Sequence, residues 1–275
     1  MFDTVIEMLS YPFMTRAFLV GSLVALCSAL LGVSLVLKRY SMIGDGLSHV
    51  AFGAMAIASV LNITNNMLFI LPVTVICAIL LLRAGQNTRI KGDAAIALIS
   101  TTSLAVGVMV ISLTTGMNTD VYNYMFGSIL AMSAEDVKLS LVLSAFVLIL
   151  FIVFYHKIFA ITFDETFARA TGVKAGVYNT LIAVLTAVTI VLGMRMMGAL
   201  LISSLIIFPA LTSMRVCRTF KSVIINAAVI SVVCLIAGVT LSYVAATPAG
   251  ASVVLANLVM MVLYTVVGAV KNHMR

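Results

Sequence analysis

A series of apolar segments, each close to the length of a membrane-spanning helix, runs through almost the whole chain. A helix needs about 20 largely apolar residues to cross the hydrocarbon core of a bilayer. The sequence predicts nine such helices, at residues 17–37, 43–62, 67–83, 93–115, 137–155, 176–193, 197–214, 222–245 and 251–270. Residues 194–196 alone separate the sixth segment from the seventh, so one broken helix, and a total of eight, is the alternative.

The composition excludes a water-soluble domain of ordinary polarity. Hydrophobic residues make up 63% of the 275 residues, and charged residues make up 9%. Soluble globular proteins contain about 45–50% apolar and about 25% charged residues. We therefore predict an all-α polytopic membrane protein in which residues 1–275 form one bundle with a lipid-facing surface. Small residues at Gly21, Ala25 and Ala29 would let its helices approach closely.

The basic residues gather on alternate connections between the segments. Of the 16 lysines and arginines, all but Arg16, Lys138 and Arg195 follow odd-numbered segments. The positive-inside rule places these thirteen residues in the cytoplasm, which puts the N-terminus outside and the C-terminus inside. The thirteen are Lys38, Arg39, Arg83, Arg89, Lys91, Lys157, Arg169, Lys174, Arg215, Arg218, Lys221, Lys271 and Arg275. The cytoplasmic loops account for the net charge of +7, so it does not indicate nucleic acid as a partner.

Two connections carry structure of their own. Residues 116–136 lie outside, and their apolar middle is too short to span a bilayer. It predicts an interfacial or re-entrant helix with Tyr122, Tyr124 and Phe126 at headgroup level. Residues 157–175 form a cytoplasmic loop, in which Asp164 can cap a short helix that runs to about Ala170 and ends at Gly172.

The second segment contains an acid and a histidine four residues apart, Asp45 and His49. On a helix the two side chains share one face. A carboxylate and an imidazole together can bind Zn²⁺, Mn²⁺ or Fe²⁺, and a site of two ligands is weak enough for an ion that must also leave. In the alternative interpretation Asp45 caps the start of this helix and His49 bonds to neighbouring backbone.

Other polar residues in or near the apolar segments are less informative. Arg195, in the short outer link, is a candidate outer-gate residue or an interfacial residue whose side chain extends toward water. Pro209 predicts a kink, and Ser203 and Ser204 could bond to carbonyl groups that the kink frees. The chain has no G-x-x-x-x-G-K-[ST] motif for ATP and no H-E-x-x-H motif of a zinc protease.

Four stretches resemble the permease subunit of bacterial zinc/manganese ABC importers, and the likeness extends over nearly the whole chain. They are residues 36–58, 162–173, 194–214 and 247–255. The family motif G-D-x-x-x-H matches Gly44, Asp45 and His49, which implies contact with the metal ion on its path. The family element F-D-x-x-F-A-x-x-x-G matches Phe163, Asp164, Phe167, Ala168 and Gly172. This match implies a coupling helix that docks into a groove of the ATPase. We include Glu165 and Arg169, which lie within the same stretch, among its candidate coupling residues.

The resemblance implies an ABC importer permease fold in a bacterial plasma (inner) membrane. It implies a permease homodimer, a separate ATPase bound at the cytoplasmic face, and a separate metal-binding receptor outside. The chain would then be a transport subunit and no enzyme, with no permanently bound cofactor. It would carry Zn²⁺, or alternatively Mn²⁺ or Fe²⁺.

Two other classes of function remain as alternatives. An ion-coupled secondary transporter needs acids within the membrane, and Asp45 is nearly the only candidate. It would also leave the helix at residues 162–173 without a role. An integral-membrane enzyme needs paired acids, histidines or nucleophiles, which are scarce in the apolar segments.

Overall fold

The apolar segments of the sequence become helices with nearly the predicted bounds. The computed structural model describes residues 10–63, 66–87, 92–114, 127 and 134–273, and it contains helices and short connections but no strands in these ranges. The helices are α1 Pro12–Leu37, α2 Ile43–Val60, α3 Asn66–Asn87, α4 Gly92–Thr114, α5 Ala134–Val153, α6 Tyr155–Phe163, α7 Glu165–Ala170, α8 Ala175–Met197, α9 Ala199–Met214, α10 Phe220–Ala245 and α11 Ala249–His273.

The described residues contain eight helices that are long and apolar enough to cross a membrane. The seventh predicted segment is a separate apolar helix, α9, of only 16 residues. Gly198 ends α8 and precedes α9 with φ 86° and ψ 160°, a backbone conformation that glycine adopts readily and L side chains do not. The nine predicted helices therefore all occur, and eight of them have the length of a full span.

The helices divide into a buried centre and a periphery. About two-thirds or more of the apolar stretches of α1, α2 and α8 are buried, at 67%, 67% and 72%. The stretches of α5 and α11 are only 22% and 17% buried. Because the surface of these outer helices is apolar, it suits hydrocarbon and not water.

Small residues let α1 approach other helices closely, as predicted, and the helices that it approaches are α9 and α10. A Cβ atom at Gly21 would lie 3.1 Å from Cδ2 of Leu235 on α10. The Ser231 hydroxyl donates to the carbonyl oxygen of Ala25 at 3.0 Å. The closest approach is at Gly32, where a Cβ atom would lie 2.1 Å from the backbone oxygen of Ile206 on α9.

The connections sort into two ends of the bundle, in agreement with the alternation of charge. At one end, which we call the α7 end, Lys38 lies 3.7 Å from Glu165. Gly268 near the C-terminus packs there against the backbone of Arg215. At the opposite end, Arg195 pairs with Asp136. Among the described residues, Lys38 and Arg215, assigned to one side by sequence, lie at one end, and Arg195, assigned to the other side, lies at the opposite end.

The serines before Pro209 do not act as predicted. Pro209 lies inside α9 and cannot donate to the carbonyl group of Leu205, four residues earlier. Ser203 and Ser204 donate instead to the carbonyl groups of Ala199 and Leu201, each at 2.9 Å. A serine in a helix reaches backward by three or four residues, so neither can serve a carbonyl group that follows it.

Candidate functional site

The helix with the Asp45–His49 pair begins inside the bundle. A Cβ atom at Gly44 would lie 2.9 Å from Cδ1 of Ile206, which is near the middle of α9. Ile206 precedes the last residue of α9 by eight residues, or about 12 Å at 1.5 Å per residue. The first turn of α2 therefore lies at an interior depth, away from both ends of α9.

Close packing against α4 sets the position of α2. A Cβ atom at Gly46 would lie 2.8 Å from Cγ2 of Ile96, and one at Gly53 would lie 2.8 Å from the carbonyl oxygen of Ser103. The contacts advance along both helices in the same direction, so α2 and α4 are parallel. One spanning helix, α3, separates α2 from α4 along the chain, so α2 and α4 would cross a membrane in the same direction.

The structure brings Asp45 and His49 together on one face of α2. Asp45 Oδ2 lies 3.9 Å from His49 Nδ1, and the two side chains are 40% and 22% exposed. His49 Nδ1 also lies 2.7 Å from the Ser100 hydroxyl on α4. Ser100 is eight residues from the start of α4, about 12 Å along the helix.

The interpretation of Asp45 as a helix cap is wrong. Met42 occupies the cap position of α2 with no side-chain hydrogen bond, and Asp45 lies within the first turn. The partner of His49 is likewise a side chain, Ser100, and not neighbouring backbone. The positive end of the helix dipole still favours a carboxylate at Asp45.

This arrangement suits transient binding of a divalent ion. Ser100 contacts Nδ1 of His49, so Nε2 is the ring nitrogen that could take a metal ion without loss of that contact. The Asp45 carboxylate lies nearest to Nδ1, so it would have to turn toward Nε2 to share the ion. Within the ranges that the structure describes, no three His, Cys, Asp or Glu side chains gather into a metal site. Water would complete the coordination of an ion at the pair, and an incompletely enclosed ion can leave again.

The short helix α7 forms as predicted. Asp164 Oδ1 accepts a hydrogen bond from the backbone N–H of Phe167 at 2.9 Å, and Gly172 follows the helix with φ 84°. Ala168, which is part of α7, is fully buried. Phe163 and Phe167 are 58% and 65% exposed, so this end of the bundle presents two aromatic rings to its surroundings.

The base of α7 is fixed by aromatic contacts. The Phe163 ring packs against Phe159 of α6 and Phe220 of α10, with centroids 5.0 and 5.6 Å apart. Phe159 and Phe220 also pack together at 5.2 Å. These rings join the loop to the first residue of α10, which the sequence did not predict.

Glu165 is the centre of a polar network at the α7 end. Its carboxylate accepts hydrogen bonds from Arg169 at 2.5 Å and Asn179 at 3.0 Å, and Lys38 lies 3.7 Å away. Lys38 also donates to Oδ1 of Asn179. Burial alone would raise the pKa of Glu165, but the hydrogen bonds from Asn179 and Arg169 and the charge of Lys38 lower it.

At the opposite end, Arg195 in the last turn of α8 bonds to Asp136 in the first turn of α5. The two atoms, Nη2 and Oδ1, are 3.0 Å apart. Gly127 lies beside this place, since a Cβ atom on it would be 2.1 Å from the carbonyl carbon of Met197. The residues predicted for the interfacial helix, Tyr122, Tyr124 and Phe126, lie outside the described ranges.

Sequence reasoning missed the roles of Ser100 and Asn179 and the contact of Lys38 with Glu165. Serine and threonine in apolar helices most often bond to their own backbone, as Thr101 and Thr102 do here. Ser100 therefore carries no signal in a single sequence. Asn179 was detectable as an amide inside an apolar segment, because a buried amide requires partners.

Comparison with known proteins shows the family of the chain. Residues 10–268 match the ABC 3 transport family. The high-affinity zinc uptake system membrane protein ZnuB of Haemophilus influenzae is 33% identical over 247 residues, covering 90% of this chain and 94% of the relative. The manganese transport system membrane protein MntC of Halalkalibacterium halodurans is 29% identical over 249 residues, covering 90% and 85%.

A solved structure has the same architecture. PsaBC from Streptococcus pneumoniae, in complex with Fab, superposes with a TM-score of 0.84 at 25% sequence identity. The match covers 95% of this chain and 94% of that one. The family match extends over nearly the entire helical bundle, including Asp45, His49 and α7. The chain is a membrane protein of the ABC 3 transport family.

Proposed function

We propose that this chain is the permease subunit of an ATP-driven importer for divalent transition-metal ions. The observation that carries the proposal is the Asp45–His49 pair, held at an interior depth of the bundle by the contact of His49 with Ser100. The chain forms the ion pathway and is a transport subunit, while a separate protein hydrolyses ATP. Zinc is the favoured ion, and manganese and iron are the alternatives, since one carboxylate and one imidazole suit all three.

The partners follow from the two ends of the bundle. We place the α7 end in the cytoplasm because it carries most of the basic residues. There the exposed rings of Phe163 and Phe167 would dock into the ATPase. A metal-binding receptor would deliver the ion at the Arg195 end, where the Arg195–Asp136 pair is a candidate outer gate. The permease would work as a homodimer in a bacterial plasma membrane.

The proposal has direct support from relatives that the chain matches over most of their length. Their names describe zinc uptake in one case and manganese transport in another. The competing interpretation, an ion-coupled secondary transporter, gives the exposed rings of α7 no function. The two interpretations differ in whether the α7 surface is required.

Replacing Phe167 with alanine should release the ATPase and stop transport. The side chain of Phe167 is 65% exposed and would become buried on docking. Loss of a central aromatic contact costs an interface about 2 kcal/mol or more, which is roughly 30-fold in affinity. Copurification of a P-loop ATPase from detergent-solubilised membranes would be measured together with uptake of radioactive zinc and manganese in cells that lack the native chain.

Phe146→Ala is the matched control for this experiment. Phe146 is 50% exposed on α5, on the lipid-facing periphery, so its removal should leave both binding and uptake unchanged. Normal uptake by the Phe167→Ala variant without a copurifying ATPase would contradict the proposal and favour a secondary transporter.

Replacing Ser100 with alanine should weaken transport without abolishing it. The hydroxyl orients the His49 ring, and removal of such an outer partner typically lowers metal affinity by about 10–100-fold. The concentration of metal ion that gives half-maximal uptake should therefore rise by about tenfold. Thr101→Ala removes a neighbouring hydroxyl that bonds only to its own helix, and it should leave that concentration unchanged. Equal values for the two variants would exclude the positioning role.

A further inference from the structure

Three separate elements meet at the carboxylate of Glu165. Glu165 belongs to α7, Lys38 follows the last residue of α1, and Asn179 lies in the second turn of α8. Lys38 contacts both of the others, and Asn179 bonds to both. The result is a closed triangle of polar contacts between residues that are far apart in sequence.

The triangle is shielded from solvent. The side chains of Lys38 and Glu165 are only 10% and 25% exposed. Burial lowers the pKa of Lys38, and the carboxylate of Glu165 opposes that change. Loss of Glu165 would leave the buried ammonium group of Lys38 with only the neutral amide of Asn179, whereas loss of Lys38 would leave Glu165 paired with Arg169. The buried charge of Lys38 is therefore the strongest reason for the three groups to stay together.

The triangle lies close in sequence to the Asp45–His49 pair. Four residues, 39–42, connect Lys38 to the start of α2, and Arg39 has a φ of 62°. Backbone hydrogen bonds brace this turn, from Tyr40 N to Leu35 O at 2.9 Å and from Ile43 N to Tyr40 O at 3.1 Å. Because this turn is short and its backbone groups bond to one another, a displacement of Lys38 would also displace the first residues of α2.

Asn179, the third residue of the triangle, lies on a helix that extends to the opposite end of the bundle. Asn179 is on α8, which runs through the bundle for 23 residues, about 34 Å. Arg195, bonded to Asp136, is in the last turn of the same helix. A displacement applied to α8 at Asn179 therefore reaches the Arg195 end along one unbroken helix.

We propose that Lys38, Glu165 and Asn179 form the joint that makes α7 move as one body with α2 and α8. The proposal rests on the function proposed above, in which a partner ATPase displaces α7. The joint then passes this movement both to the metal pair on α2 and to the Arg195–Asp136 pair. Lys38 and Glu165 are positioning residues, which need not touch the ion or the ATPase.

The test compares metal transport with ATP hydrolysis in the complete complex. Lys38→Met and Glu165→Gln variants, copurified with their ATPase, would be reconstituted in vesicles. The readout is radioactive zinc or manganese transported per ATP hydrolysed. We expect this ratio to fall at least tenfold while ATPase copurification stays within twofold of wild type. Lys221→Met is the matched control, because Lys221 is exposed at the same end and makes no ion pair with the described residues.

A combined variant that contains Lys38→Met and Glu165→Met separates coupling from folding. Replacement of a buried ion pair by apolar side chains is often neutral or stabilising. Loss of both charges would also leave the buried Asn179 amide without the groups that it bonds to, so Asn179→Leu is added to this variant, which should then keep a normal yield and thermal stability. We expect its transport ratio to remain low. A return of the ratio to the wild-type value would overturn the proposal, because the charges would then serve stability alone.

Two further results would also overturn the joint. A single variant with an unchanged ratio would show that the contact transmits nothing, and loss of ATPase binding in Glu165→Gln would make Glu165 a docking contact instead. Failure of the wild-type complex to form or to transport either ion would contradict the proposed function itself. The wild-type baseline therefore keeps the two proposals distinguishable.

Discussion

Replacing Asp45 with asparagine is expected to reduce metal uptake to background. Asparagine has nearly the same volume as aspartate but lacks the negative charge that attracts a divalent ion. Since loss of an outer-shell partner already costs about 10–100-fold in affinity, loss of one of two direct ligands should cost more than about 100-fold. The Asp45 side chain is 40% exposed and His49 keeps its contact with Ser100, so removal of the charge should leave the bundle folded.

The measurement is uptake of radioactive zinc and manganese in cells lacking the native chain, with ATPase copurification as a check on assembly. Asp93→Asn is the matched control, because Asp93 is an exposed acid in the first turn of another spanning helix, α4. It should transport normally. If Asp45→Asn transports as well as Asp93→Asn, the carboxylate is no ligand.

Replacing Gly32 with alanine is expected to disrupt the centre of the bundle. The new Cβ atom would lie 2.1 Å from the backbone oxygen of Ile206, far inside van der Waals contact. A backbone atom cannot rotate away as a side chain can, so α1 and α9 would have to separate. Overpacking of this kind costs about 1–3 kcal/mol or more, and here the contact is between two main chains.

Thermal unfolding in detergent and the yield of monodisperse protein would measure this effect. Gly176→Ala is the matched control, because a Cβ atom there meets nothing within 4 Å. The Gly32→Ala variant should melt well below the control or fail to accumulate. Equal melting temperatures would mean that the approach of α1 to α9 is looser than the structure has it.

The helices and their grouping into two ends could be predicted from sequence because both depend on local or additive quantities. A run of apolar residues defines a span whatever its neighbours are. The cap of α7 was predictable for the same reason, since Asp164 and Phe167 are three residues apart. The same logic brought Asp45 and His49 to one helical face, four residues apart.

Contacts between helices could not be predicted in this way. The cap interpretation of Asp45 required α2 to begin after Asp45, whereas α2 begins at Ile43, where the second segment was predicted to start. Ser100 is 51 residues from His49, and Asn179 is 141 residues from Lys38. No local pattern in one sequence distinguishes these polar residues from others that bond to their own helix.

The sequence by itself determined that the chain is a helical membrane protein, which of its connections share a side, and which acid and histidine share a helical face. These properties follow from hydropathy, charge and helical period. Only the tertiary structure decided that the first turn of α2 lies beside the middle of α9, that Ser100 orients His49, and that Lys38 and Asn179 join α7 to the bundle. Each of these depends on how closely two helices approach, which glycines such as Gly32 and Gly46 permit and which only the packing of the whole bundle determines.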